Sequence, residues 1–425
     1  MNAMNVSAHR AFSFLRTYGY ERVSCSPEER TVAEALLHEA ESLHLSAKLE
    51  EFSVPCGRVS HALLRVTSPY VKEYEVTGYE RAASTPEGGL DAEFLYVENE
   101  DDVLLEQAKG KIVLINGYLN RAAYEKLRKA DVLAILTFTG RTIDRESESD
   151  LNRCKLRETL TDPFGAIPVL NMRAASAAEI VRRGAKTAHI ELTGECFDGT
   201  SQNVCVTIPG TDKPSEVITI GAHYDSVYFS TGVHDNLSGS VIVLELMRYF
   251  AAHPPRRTLR LCWFGSEEQG LLGSKAYVKA HEAELKDCVA MLNFDVAAAT
   301  LGSNYVITLA TDDALHYVTG VLREAGYGCR AKQDTYSSDC IPFADCGVPA
   351  INLARFGADG ADYMHNRHDS LKSGYLDEHA LDITLQQGFA LATRLANAAS
   401  FPIKREITPE IRKKVDEYLF KAKKE

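Results

Sequence analysis

Seven residues in the second half of the chain are of types that bind metals or move protons: His223, Asp225, Asp235, Glu267, Glu268, Asp295 and His365. Each stands at the end of an apolar run or in the loop after one. The runs are "VITIGAH", "TLRLCWFG", "VAMLNFD" and "PAINLAR", and their nearly uninterrupted apolar character predicts strands buried on both faces. Two adjacent glutamates after such a strand have a plain explanation, because carboxylates suit the positive end of a helix dipole. The other strand ends change that reading. In an open α/β sheet the loops at the carboxyl ends of the strands line one crevice, so two histidines and three carboxylates would converge there. So many buried like charges need cations to offset them. Imidazole with carboxylate suits zinc, or manganese or cobalt, better than copper or calcium. Five ligands also exceed the three of a one-zinc catalytic site, which favours two metals roughly 3.5–4 Å apart sharing one carboxylate.

The elements that must position these residues follow from the pattern around them. From Val204 onward, strand-like and helix-like runs alternate, with "NYVITLAT" as a further strand and helices expected at 238–252, 271–285, 312–326 and 377–398. This predicts an α/β fold of three α/β/α layers around a mostly parallel sheet. The first 45 residues read as helical, with Ser26 as N-cap, Pro27 at the first helical position and Glu29 closing a capping box. Two strands are expected next, "AKLEEFSVP" and "HALLRVTSP". Residues 70–195 have another texture, short strands such as "AEFLYVEN" and "LAILTFTG" alternating with short helices, and they carry one histidine, His189. The expected domains are therefore 1–69 with 196–400, an insert at 70–195, and a solvated helical tail at 401–425.

Composition narrows the partners. A net charge of −12 without a basic patch argues against nucleic acid or an anionic membrane surface. No run approaches the roughly 18 apolar residues of a membrane span. The N-terminus lacks the pattern of a secretory signal, and the ten cysteines form no C-x-x-C pair. A reducing cytoplasm fits best, although a secreted chain trimmed of its signal would read the same. Peptides are the expected partners; the oligomeric state stays open, a homodimer included.

The motifs "AHYDS", "HDNLSG", "EEQGLLGS", "NFDV" and "HNRHDS", in this order over residues 217–370, resemble those of the co-catalytic zinc exopeptidases of metallopeptidase family 28, which include aminopeptidase Y and bacterial leucine aminopeptidases. The stretch "KGKIVLINGY…AYEKLRKADVLAILTF…IPVLNM" resembles the protease-associated domain, an insert common in that family. The resemblance implies an aminopeptidase holding two zinc ions. It implies that His223 and Asp295 bind one ion, Glu268 and His365 the other, and that Asp235 bridges them. It implies that Asp225 orients His223 and that Glu267 is the general base, taking a proton from the water between the metals.

The chain departs from the pattern in places. Some relatives have Tyr directly before the last histidine, where this chain has Met364 with Tyr363 one residue earlier. The family often has His after the Asp of "SSDCIPF", where Cys340 follows Asp339; Cys340 reads as a packed thiol. Arg355 could meet a substrate carboxylate or an ordinary acidic neighbour. His234 and His368 adjoin ligands, but neighbours along an extended chain point apart. The superfamily also holds carboxypeptidases, one-zinc glutaminyl cyclases and non-catalytic binding proteins. The full ligand set argues against the last two, and "DNLSG" looks more like the aminopeptidase branch than the carboxypeptidase one.

Overall fold

A computed structural model describes residues 5–117, 119–144, 151–358 and 364–421. In chain order it has α1 (Ala8–Tyr18), α2 (Pro27–Ser42), β1 (Ser46–Ser68), β2 (Lys72–Tyr74), β3 (Val76–Gly78), β4 (Leu90–Val97), α3 (Asp102–Leu105), β5 (Ile112–Ile115), α4 (Arg121–Lys129), β6 (Ala134–Thr139), α5 (Glu158–Phe164), β7 (Val169–Arg173), α6 (Ala174–Arg182) and β8 (Thr187–Ile208). There follow β9 (Lys213–His223), α7 (Ser238–Ala252), β10 (Arg257–Phe264), α8 (Leu272–Ala280), β11 (Cys288–Phe294), β12 (Gly302–Leu309), α9 (Asp312–Glu324), β13 (Arg330–Gln333), α10 (Cys340–Asp345), β14 (Ala350–Gly357), α11 (Glu378–Asn397) and α12 (Pro409–Tyr418). They form two units, one of residues 1–54 and 200–425, the other of residues 55–199.

In the larger unit the strands run in the order β13-β12-β14-β11-β9-β10-β8. The β12–β14 and β10–β8 pairs are antiparallel and the other four are parallel. Successive side chains of a strand leave on opposite faces, and both faces here are covered. On β10, Leu259, Leu261 and Trp263 enter a core with α1, α7, α9 and α11. Cys262 and Phe264 enter a second core with α8, α10 and α12. That two-sided burial is why these strands read as continuous apolar runs. Register then aligns the strand ends. His223 pairs with Phe264, and Gly221 with Asn293, so the residues following β9, β10 and β11 emerge at one edge.

Residues 55–199 form a small α/β unit in which β4, β5, β6 and β7 run parallel and β3 adds antiparallel to β7. Its limits differ from the expected 70–195 because both passages into it lie inside long strands, β1 of 23 residues and β8 of 22. β1 runs unbroken past residue 55 and β8 past residue 199. β1 replaces the two strands expected there. Gly57, between the two expected strands, lies where a Cβ would stand 2.7 Å from the Arg81 amide, a close backbone approach within an extended run. The tail also differs from expectation. α12 is not simply solvated, for its Ile411 and Val415 are buried in the second core. Among the described residues no helix is long and apolar enough to cross a membrane.

Candidate metal centre

Two groups of three potential ligands meet at the strand edge and share one residue. His223, Asp235 and Asp295 form the first and Asp235, Glu268 and His365 the second, with the offered atoms of each group within 4.8 Å of one another. His223 Nε2 is 3.1 Å from Asp235 Oδ1 and 3.5 Å from Asp295 Oδ1. His365 Nε2 is 3.0 Å from the other oxygen of Asp235, Oδ2, and 3.2 Å from Glu268 Oε2. Glu267 belongs to neither group, and its Oε2 is 3.9 Å from His223 Nε2. His365 is the exposed member, its side chain 57% accessible, which marks the side open to solvent.

The neighbouring motif residues hold the segments that carry these groups. Asp225 is fully buried and accepts from the Glu267 amide at 3.0 Å and the Glu268 amide at 3.2 Å, while its Oδ1 is 3.3 Å from His223 Nδ1. It therefore fixes the glutamate turn as well as facing the imidazole. Ser266, before that turn, has φ 54°, and Val296 and His365 also have positive φ, 58° and 60°. Such conformations are costly for residues with a Cβ and persist where the surroundings over-determine them. Asn236 ties the bridging segment to the end of β11, donating to Phe294 O at 2.8 Å and accepting from Val296 N at 3.1 Å. Gly239 is required here, since a Cβ would stand 2.4 Å from Phe294 O. Asp369 accepts from the His234 and Asp235 amides at 2.7 and 3.0 Å, joining the His365 loop to the bridging residue. Beneath them the buried Arg22 guanidinium donates to carbonyls of Tyr224, Thr231 and Gly232 at 2.7, 2.7 and 2.9 Å.

Glu29 corrects one expectation. Ser26 does cap α2 by accepting from the Glu29 amide, but Glu29 does not turn back to Ser26. Its carboxylate accepts from Cys25 N at 2.7 Å, Ser201 Oγ at 2.8 Å and Ser266 N at 3.1 Å. Burial, aided by the charge of Asp225, pushes it up to about 8. The spacing of a capping box here serves a buttress under the glutamate turn.

The donor set fits metal ions. One Nε2–H can point at one acceptor, yet His223 Nε2 faces Asp235, Asp295 and Glu267, and His365 Nε2 faces Asp235 and Glu268. Protons on two rings cannot satisfy four buried carboxylates, whereas cations between them can. The same imbalance shows in the titration of the group. Burial, reinforced by Glu268, Asp339 and Asp295, holds Glu267 well above the ordinary carboxylate range. The charge of Glu268 leads the forces that push His365 up to about 12.

The remaining sequence candidates fall outside the two groups. His234 is fully buried, edge-on to Tyr375 with ring centres 5.4 Å apart, and burial holds it down at about 4, so it is a neutral packed ring. His368 is exposed. Arg355 donates to Ala299 O and Asn304 Oδ1, both at 2.8 Å. Cys340 is buried with its thiol 3.9 Å from Met291 Sδ. Met364 is half-buried, and Tyr363 lies outside the described residues. The residue that sequence reading missed is Tyr336. Its ring packs on Phe356 with centres 5.2 Å apart, and burial, with the charges of Asp295, Asp235 and Glu267, keeps its hydroxyl well above the usual phenol range. Its one sequence signal is its place just before "SSD".

Comparison with known proteins covers the same segments. Residues 203–387, which hold all seven site residues, match the model of peptidase family M28. Aminopeptidase YwaD of Bacillus subtilis is 28% identical over 412 residues, covering 92% of this chain and 84% of that protein. Leupeptin-inactivating enzyme 1 of Streptomyces exfoliatus is 35% identical over 189 residues, 43% of this chain and 41% of that protein. The structure of BSAP, a zinc aminopeptidase from Bacillus subtilis, superposes with a TM-score of 0.76 over 95% of this chain and 100% of that one, at 23% identity, and so shares the fold. The ligand-bearing segment, residues 203–387, thus matches peptidase family M28, and a relative 28% identical aligns along most of the chain.

Proposed function

We propose that this protein is a di-zinc aminopeptidase that removes N-terminal residues from peptides. The observation that carries the reading is the pair of three-ligand groups joined through the two oxygens of Asp235. His223, Asp295 and Asp235 would hold one ion, and Glu268, His365 and Asp235 the other. When bound, zinc supplies a Lewis acid for the scissile carbonyl and lowers the pKa of water.

The chain's own groups do the rest. Glu267, buried and outside both ligand groups, accepts a proton from the attacking water at a carboxylate oxygen and returns it to the leaving nitrogen as the C–N bond breaks. Its position is fixed by Asp225 through the turn's backbone rather than by a ligand bond. The carboxylates around the cluster receive the substrate's free ammonium group. The names of the Bacillus relatives support the aminopeptidase branch. We read residues 55–199 as a protease-associated-type insert, on their alternation of short strands and helices; they supply no member of either ligand group.

Elemental analysis after saturation with zinc and removal of excess is expected to find about two ions per chain, one for each group. A ratio of one or zero would remove the two-metal reading.

A further inference from the structure

Residues 22–29 lead into α2 and reach both sides of the clamp by which Asp225 holds the Glu267 and Glu268 amides. On one side they pair with Ser226, the residue after Asp225. Arg22 N donates to Ser226 Oγ at 2.8 Å, Ser226 N donates to Arg22 O at 3.1 Å, and Val23 forms a parallel bridge with Ser226. On the other side they meet Ser266, the residue before Glu267. Glu29 Oε1 accepts from Ser266 N at 3.1 Å and from Ser201 Oγ at 2.8 Å, and the Ser24 and Ser266 hydroxyls are hydrogen-bonded. Glu29 Oε2 accepts from Cys25 N at 2.7 Å, which ties the corner carrying Ser24 to the same carboxylate. Glu29 is buried, and donors left without an acceptor in such a place are costly.

Ser266 needs this hold. Its φ of 54° is unfavourable for a residue with a Cβ and persists where the surroundings impose it. Glu268 belongs to a ligand group and Glu267 does not, so a bound ion secures the first and leaves the second to the backbone of the turn. We propose that residues 22–29 are a brace that sets the general base, with Glu29 as the residue that positions Glu267 through Ser266. The effect on turnover rests on the proposed aminopeptidase function; the hold on the turn rests on the hydrogen bonds alone. Glu29 is a member of neither ligand group, so its influence on turnover runs through Ser266.

The test uses Glu29→Gln, which keeps the size of the buried side chain and so the packing around it. An amide has one carbonyl oxygen where the carboxylate has two, so Cys25 N and Ser266 N can no longer both be satisfied. Losing either loosens the turn, directly or through the corner that carries Ser24. Hydrogen–deuterium exchange read by mass spectrometry is expected to quicken at 265–268 by about tenfold. Zinc content and KM should stay at their wild-type values. kcat should fall by about tenfold, less than the roughly 10²–10⁴ expected when the base itself is removed. In a Glu267→Gln background Glu29→Gln should cost nothing further, because the group it positions no longer accepts a proton. Ser201→Ala is the control, since it removes a bond to the same carboxylate without touching Ser266, and kcat should stay close to the wild-type value. Unchanged exchange at 265–268 would overturn the brace, and so would an undiminished kcat loss in the Glu267→Gln background or an equal loss in Ser201→Ala. A wild-type protein that releases no N-terminal residue would refute the proposed function, while the exchange result still decides whether Glu29 holds the turn.

Discussion

Glu267→Gln is expected to lower kcat by roughly 10²–10⁴ while leaving both metal positions filled. The substitution keeps the size of the side chain and its place on the turn, since Asp225 holds that turn by its amides. It removes the one capacity the reading assigns to Glu267, accepting a proton and passing it on. The loss corresponds to about 3–5 kcal/mol of transition-state stabilisation. KM should change little, because Glu267 is asked to act on the attacking water rather than to bind the peptide. Steady-state kinetics on an aminoacyl-arylamide, with zinc analysis of the same sample, checks both halves. Turnover at the wild-type rate would place the base elsewhere.

Asp235→Ala should be more damaging, because both ligand groups lose a member at once. Zinc content is expected to fall below two ions per chain, and kcat by roughly 10⁴ or more, the scale on which groups that act as a unit fail together. The fold should survive. The backbone at this position is held by Asp369 and Asn236, and neither bond uses the Asp235 side chain. Asp295→Ala gives the contrast, since it belongs to the first group alone and should spare the ion held by Glu268 and His365. Zinc analysis and thermal unfolding of the two variants separate a lost ligand from a lost fold. Two ions retained in Asp235→Ala would contradict the shared-ligand arrangement.

The strand ends were legible because a strand buried on both faces writes an unbroken apolar run and stops where the chain meets solvent or a ligand. Helix α7 likewise occupies the expected 238–252. The positions that escaped are those where one local signal serves another purpose. Ser26 and Glu29 have capping-box spacing, but Glu29 is recruited by Ser201 and Ser266, far away in sequence. Pro55 and Gly57 look like punctuation, yet β1 continues through them. Tyr336 follows a short, exposed strand without apolar periodicity, so nothing local marks it as a residue that packs on Phe356. In the tail, Ile411 and Val415 lie four residues apart among charges. That spacing is a helix face seeking a core, and the surrounding lysines mask it.

The central claim is that the free α-amino group is received at the metal centre, so that the first peptide bond is the one cleaved. The most direct test offers the zinc-loaded protein one short peptide in two forms, with a free and with an acetylated N-terminus, and identifies the products by mass spectrometry. Acetylation removes the ammonium charge and displaces the scissile bond, and a misplacement of about 1 Å can cost 10²-fold in rate. The free peptide should lose its first residue and then its second, while the acetylated peptide stays intact. Release of the last residue from the acetylated peptide at a comparable rate would contradict the aminopeptidase assignment.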